Sequence, residues 1–262
     1  MLTNATFLKG LKIHARDGEL GTVEQFYFDD ETWAIRYLTV DTGGWLSGRR
    51  VLISPISVVN TDWIARRMDV RLTKKQVENS PDISTQKPVS RQLEAEYNRY
   101  YDYPYYWGGP YLWGPALCPA GLAEQTAAFT DTMPRASTDS HLRSTEGVTG
   151  YQIEATDGDI GHLDGFVIDD EAWAIRYLEV ATRNWLPGKK VLLSPAWIKE
   201  VSWPESRVYA ALSREAIKDA PEYLVSRPIT REYENRLYFH YGRPPYWLHE
   251  DEHRSALSLS GD

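Results

Sequence analysis

The chain has 262 residues, 42% of them hydrophobic, and a formal net charge of −8. That is room for two modest cores, and the acidic balance argues against a general grip on the nucleic-acid phosphate backbone, which draws on surplus Lys and Arg. A single cysteine, Cys118, excludes an intrachain disulfide and a thiolate zinc cluster and fits a reducing compartment, so a cytoplasmic location is expected.

The opening stretch lacks a basic start followed by an apolar run, and no segment approaches the ~20 apolar residues that a membrane-spanning helix needs, so a soluble chain is expected. Two copies of one module then run in the same register, each residue of the second lying 140 positions after its counterpart. Asp17-Gly18-Glu19-Leu20-Gly21 recurs as Asp157-Gly158-Asp159-Ile160-Gly161, and the run from Asp29 to Leu38 recurs from Asp169 to Leu178. Trp45 to Pro55 recurs from Trp185, and Glu94, Tyr106 and Trp107 have identical partners at Glu234, Tyr246 and Trp247. The copies are expected to span 1–107 and 141–262, joined by a linker over 108–140 that is rich in Pro, Gly, Ala and Thr and therefore irregular.

In chain order, Asp17-Gly18 predicts a hairpin turn, followed by a strand from Leu20 to Phe28. Gly165, opposite Gln25 of the first copy, suggests a bulge or a close backbone approach. WAIRYLTV places Trp33, Ile35 and Tyr37 on one face of a strand buried on both sides, interrupted by Arg36 and by Arg176 in the second copy. Two short apolar runs follow, and then Met68, Val70 and Leu72 alternate with polar residues. About six short strands per copy, in a module of roughly 70 residues, favour a small closed barrel, so the fold class is mainly β. Thr73 and Gln76 form a capping-box pattern with Ser213 in the matching slot, and a second helix is predicted after Pro88, capped by Ser90 or Thr230. Its expected apolar stripe is Leu93, Tyr97 and Tyr101, matched by Tyr233, Leu237 and Tyr241.

The repeated DGELG, the acidic turn, WAIRYLTVDTG and WLSGRRVLISP resemble the PRC-barrel family over roughly residues 5–75 and again over 145–215. That family takes its name from the cytoplasmic domain of the photosynthetic reaction-centre H subunit and is shared with the ribosome maturation factor. The resemblance implies two PRC-like β-barrels in tandem, each followed by short α-helices. It implies an adaptor role and transfers no catalytic residue.

Gly18, Gly21, Trp33, Arg36 and their counterparts Gly158, Gly161, Trp173 and Arg176 are read as structural residues. Each arginine should have a carboxylate or carbonyl partner, since burying a guanidinium unpaired is costly. The aromatic tails supply the interaction candidates Tyr105, Tyr106, Trp107, Tyr111, Trp113, Tyr246 and Trp247, because Tyr and Trp beside proline bury much area at little entropic cost. The same segments could instead wrap their own barrels. Arg49-Arg50 and Lys189-Lys190 are the duplicated basic pairs, suited either to an acidic partner or to surface solubility.

Asp29-Asp30-Glu31 and Asp169-Asp170-Glu171 offer oxygen ligands but read as solvated turns. His249 to His253 spells H-E-x-x-H, a zinc pattern, in an acidic setting without apolar backing and without a counterpart in the first copy. No nucleophile with a neighbouring base and no phosphate-cradling glycine loop is present, so no catalytic residue, cofactor or metal is expected. The expected function is a non-enzymatic protein-interaction adaptor that binds another protein and could form a homodimer. A membrane-periphery or ribosome-assembly adaptor is the alternative, and a metal-dependent hydrolase acting through the HEDEH tail is the remote one.

Overall fold

In a computed structural model of the chain, the structure describes residues 1–81, 89–125, 141–182, 188–248 and 250. The first copy contributes β1 (Leu2–Asn4), α1 (Ala5–Leu8), β2 (Lys12–Ala15), β3 (Gly18–Asp29), β4 (Ile35–Asp41), β5 (Arg50–Ile53), β6 (Val58–Asp62), β7 (Arg67–Val70), α2 (Lys74–Glu78) and α3 (Arg91–Tyr101). After α4 (Pro119–Ala123), the second copy repeats this order as β8 (Leu142–Ser144), α5 (Thr145–Val148), β9 (Gln152–Ala155), β10 (Gly158–Asp169), β11 (Ala174–Ala181), β12 (Lys190–Leu193), β13 (Ile198–Ser202), β14 (Arg207–Ala210), α6 (Arg214–Lys218) and α7 (Arg231–Tyr241). The fold is mainly β, with two seven-stranded mixed sheets.

The chain divides into two compact units. Unit 1 holds Met1, Ala5–Gly147 and Asp169–Ile175; unit 2 holds Leu2–Asn4, Val148–Ile168 and Arg176–Asp262. The sheet of unit 1 runs β5-β4-β3-β2-β7-β6, with β8 added along the far end of β3. The sheet of unit 2 runs β12-β11-β10-β9-β14-β13, with β1 added on β10. Each sheet thus completes itself with a three-residue strand from the start of the other sequence copy.

The two sheets are consistent with two barrel-like domains, but the closing ladder expected of a barrel is not found: among the described residues β5 and β6 share none. A 3-10 turn at Pro55–Ser57, where proline has no N–H to offer, joins the two edges covalently. The orphaned edge groups of β5 find a side chain instead. The Tyr97 hydroxyl from α3 donates to the Leu52 carbonyl at 3.0 Å and accepts from the Ser54 N–H at 3.2 Å. A buried edge satisfied in this way has no need of a further strand.

Local signals behave as the residues dictate. The β2–β3 loop is Arg16-Asp17, with Ala15 paired to Gly18, and Asp17 reaches across to accept from the Lys74 N–H at the start of α2. Asp157 does the same for Arg214 at α6. Both carboxylates sit where the positive end of a helix favours them. Thr73 and Gln76 form the full capping box, whereas Ser213 caps α6 with its hydroxyl alone because Ala216 stands in the glutamine's place. Ser90 and Thr230 cap α3 and α7. Gly21 has φ +151°, and a Cβ there would stand 1.9 Å from the Asp41 carbonyl oxygen; Gly161 meets Ala181 in the same way. At Gly165 no backbone intrudes, and the missing side chain leaves room for the Glu179 carboxylate.

Two readings need correcting. Trp33 and Trp173 are not strand residues: both take positive φ in the turns before β4 and β11. Asp29 drives the first turn by accepting from the Glu31 and Thr32 N–H groups, which bends the chain back before any strand can start. In the 108–140 region, the described residues to 125 are packed into unit 1, with Trp113 and Leu122 wholly buried. Two isolated bridges, Tyr111 to Gly114 and Trp113 to Ala116, satisfy its backbone where proline prevents a longer strand.

Candidate functional site

The polar centre of each unit is built from residues that the two copies share. In unit 1, Glu94 lies in the first turn of α3 and is 2% exposed. It accepts from the Tyr106 hydroxyl through a very short hydrogen bond and faces the Tyr37 hydroxyl of β4 at 3.4 Å. Arg91, one turn before it, pairs with its Oε2 at 3.1 Å and donates to the Tyr106 hydroxyl at 2.6 Å. Burial pushes the Glu94 carboxyl up against the opposing charge of Arg91. It raises the Tyr37 and Tyr106 phenols far above their usual range, so both hydroxyls stay protonated and act as donors.

Arg36, also in β4, is 2% exposed and completes the cluster. Its guanidinium lies 3.7 Å from the Tyr106 ring centroid and 4.8 Å from that of Trp113. Its Nη2 stands 3.6 Å from Asp29 Oδ2 and donates to Thr32 Oγ1 at 3.1 Å. Nε and Nη1 have no hydrogen-bond partner among the described residues, so the ring faces and Asp29 carry most of the compensation for this buried charge.

Unit 2 repeats the arrangement. Glu234 accepts from Tyr177 at 2.7 Å and Tyr246 at 3.1 Å, and pairs with Arg231 at 3.0 Å. Arg176 lies over the Tyr246 ring and pairs with Glu250 at 2.6 Å, while Arg231 lies over Trp247. The glutamate of the H-E-x-x-H pattern is therefore engaged by an arginine; His249 and His253 lie outside the described residues.

The remaining sequence candidates fall into two groups. Tyr106 and Trp113 are buried in unit 1, and the Trp113 indole donates to the Ala172 carbonyl at 2.7 Å. Tyr105, Trp107 and Tyr111 are half-buried, with Tyr105 stacked on Trp107 at 4.5 Å between centroids, and Tyr246 and Trp247 are half-buried in unit 2. The basic pairs serve local structure. Arg49 donates to the Glu78 and Ser80 carbonyls at the end of α2, and Lys189 to the Lys218 carbonyl at the end of α6, where cations favour the helix terminus. Arg50 pairs with Glu24 at 2.6 Å, and Lys190 with Asp164 and Glu179 at 2.5 Å each. Asp29 is buried and Asp30 pairs with Arg143 at 2.8 Å, so the first acidic triplet is not the solvated turn expected of it. Among the described residues no three His, Cys, Asp or Glu side chains gather at metal-binding spacing.

Sequence reasoning missed Glu94 and Glu234 as buried centres, because a charged residue inside a helical pattern reads as solvent-facing. The available signal was their identity in both copies, one turn after an identical arginine.

A scan against protein families matches residues 4–77 to the PRC-barrel domain. Residues 4–77 are a PRC-barrel domain. A search of curated proteins returns no match to the chain. The PRC-barrel domain so delimited ends at α2, so Tyr37, Arg36 and Asp29 lie inside it while Glu94, Arg91 and Tyr106 are supplied by the α3 segment that follows. Among the described residues no helix is long and apolar enough to cross a membrane.

Proposed function

We propose that the chain is a non-enzymatic protein-interaction adaptor in which the second copy is a second domain of the PRC-barrel kind. The PRC-barrel match over residues 4–77 carries this reading. The 140-residue repeat and the identical strand order of the two sheets support its extension to the second copy. Within each unit the buried acid and phenol groups are hydrogen-bonded to one another, an arrangement that suits a scaffold. The half-buried pair Tyr105 and Trp107 is the surface proposed to meet the partner, since stiff aromatic groups gain contact area with little entropy to lose.

The test is a crosslinked pull-down from native cell extract with the full chain and with the Tyr105→Ala/Trp107→Ala variant. A protein captured by the first and lost with the second supports the adaptor and names its partner, whether that partner fractionates with membranes, with ribosomal subunits or with neither. Capture unaffected by the variant moves the interface elsewhere, and turnover of a substrate by the purified chain would overturn the reading.

A further inference from the structure

Unit 2 carries a cavity of about 330 Å³ between the segment that precedes α7 and the outer side of that helix. This volume falls at the lower end of the range for small-molecule sites, ~300–1,000 Å³. Leu224, Ile229 and the ring of Tyr233 give it apolar walls, while Arg227 and Arg236 stand against one acid, Glu222. Among the described residues neither guanidinium makes a hydrogen bond or an ion pair, and that of Arg236 lies 6.0 Å from the Tyr233 ring centroid.

The walls are held in place from behind. The Tyr233 hydroxyl donates to the Pro221 carbonyl at 3.2 Å, the Tyr223 N–H to the Lys190 carbonyl at 2.8 Å and the Arg227 N–H to the Leu224 carbonyl at 2.9 Å. The combination is also private to the second copy. The positions 140 earlier hold Leu93 in place of Tyr233, Lys87 in place of Arg227 and Glu96 in place of Arg236. Duplication alone explains the buried Glu–Tyr–Arg centres; it does not explain an aromatic wall with two uncommitted guanidinium groups on one copy only.

We infer that this cavity binds a small organic monoacid, its apolar body against Ile229 and Tyr233 and its carboxylate towards Arg227 and Arg236. Guanidinium groups present paired donors in a plane that matches a carboxylate, and the Glu222 charge opposes a second negative group on the ligand. The inference does not depend on the adaptor reading, since its residues belong to unit 2 and Tyr105 and Trp107 to unit 1.

Titration of the full chain with phenylacetate, followed by ¹H–¹⁵N spectra, tests it, with phenylacetamide as the uncharged control and inorganic phosphate as the compact anion. The expected result is saturable shifts centred on residues 222–236 with phenylacetate, and binding at least about tenfold weaker for the amide and for phosphate. Arg236→Gln, at an exposed position, and the Arg227→Gln/Arg236→Gln pair should each weaken phenylacetate without altering the thermal unfolding of the chain. Absence of saturable shifts, equal binding of the amide, or binding unchanged in the double variant would overturn the inference.

Discussion

At the scale of single residues, the decisive fact is that buried charges are held by groups that compensate one another. Arg36 is compensated by Asp29 and by two aromatic faces, so the removal of one member strands the others. Arg36→Met keeps the volume and deletes the charge, and is expected to cost about 3–5 kcal/mol in urea unfolding of unit 1, because it leaves a buried carboxylate uncompensated. Adding Asp29→Asn to it should recover part of the loss; if it recovers none, the pair is not what stabilises the arginine. Glu94 predicts a pH dependence. Its folded carboxyl titrates above the ordinary glutamate value because burial outweighs the help of Arg91 and Tyr106. The native state therefore holds a proton that the unfolded chain has already released, and its stabilising effect is fully present below the unfolded value of ~4.3 and lost as pH rises through the folded one. Glu94→Gln should flatten that decline when urea midpoints are compared from mildly acidic to neutral pH, whereas parallel curves would show that another group titrates.

At the scale of elements, the question is what finishes an edge. Tyr97 fulfils two backbone requirements with one hydroxyl, one at Leu52 in β5 and one at Ser54 just beyond it. Tyr97→Phe should cost about 1–3 kcal/mol, the range for leaving buried backbone groups unsatisfied, with little loss of packing. Faster hydrogen exchange at the Ser54 amide would locate the effect, and unchanged exchange there would refute the edge argument. The elements themselves were largely legible: Thr73, Ser90 and Thr230 announce the helix starts, and the repeat announces that everything happens twice. What stayed illegible follows from the range of the forces involved. A capping residue acts within four positions of itself, so sequence carries it. The satisfaction of Leu52 and Ser54 comes from a residue more than forty positions away, and no local period encodes it. Trp33 misled for a related reason: its aromatic character fits a strand, but the Asp29 side chain takes the backbone donors first. Glu94 misled because only the spatial arrival of Tyr37 and Tyr106 makes its burial tolerable.

At the scale of the whole molecule, the strands β1 and β8 set the argument, since each three-residue strand begins one sequence copy and completes the sheet of the other. Strands this short have no recognisable alternation, so nothing in the sequence separates them from the module they begin. The consequence is that sequence proximity mispredicts where a mutation acts. Asn4 precedes α1 of the first copy by one residue, yet it is buried in unit 2, where its Nδ2 donates to Glu179 at 2.5 Å and to the Tyr223 hydroxyl at 3.3 Å. Glu179 is itself buried and also pairs with Lys190. Asn4→Ala removes a donor from a buried carboxylate, a loss of roughly 1.5–3 kcal/mol for a hydrogen bond to a charged group. Hydrogen exchange resolved along the chain should show the weakened amides in β9 to β12, with those of β2 to β7 unchanged. Weakening confined to β2 to β7 would mean that β1 belongs with the copy it begins, and the reciprocal completion of the two sheets would have to be abandoned.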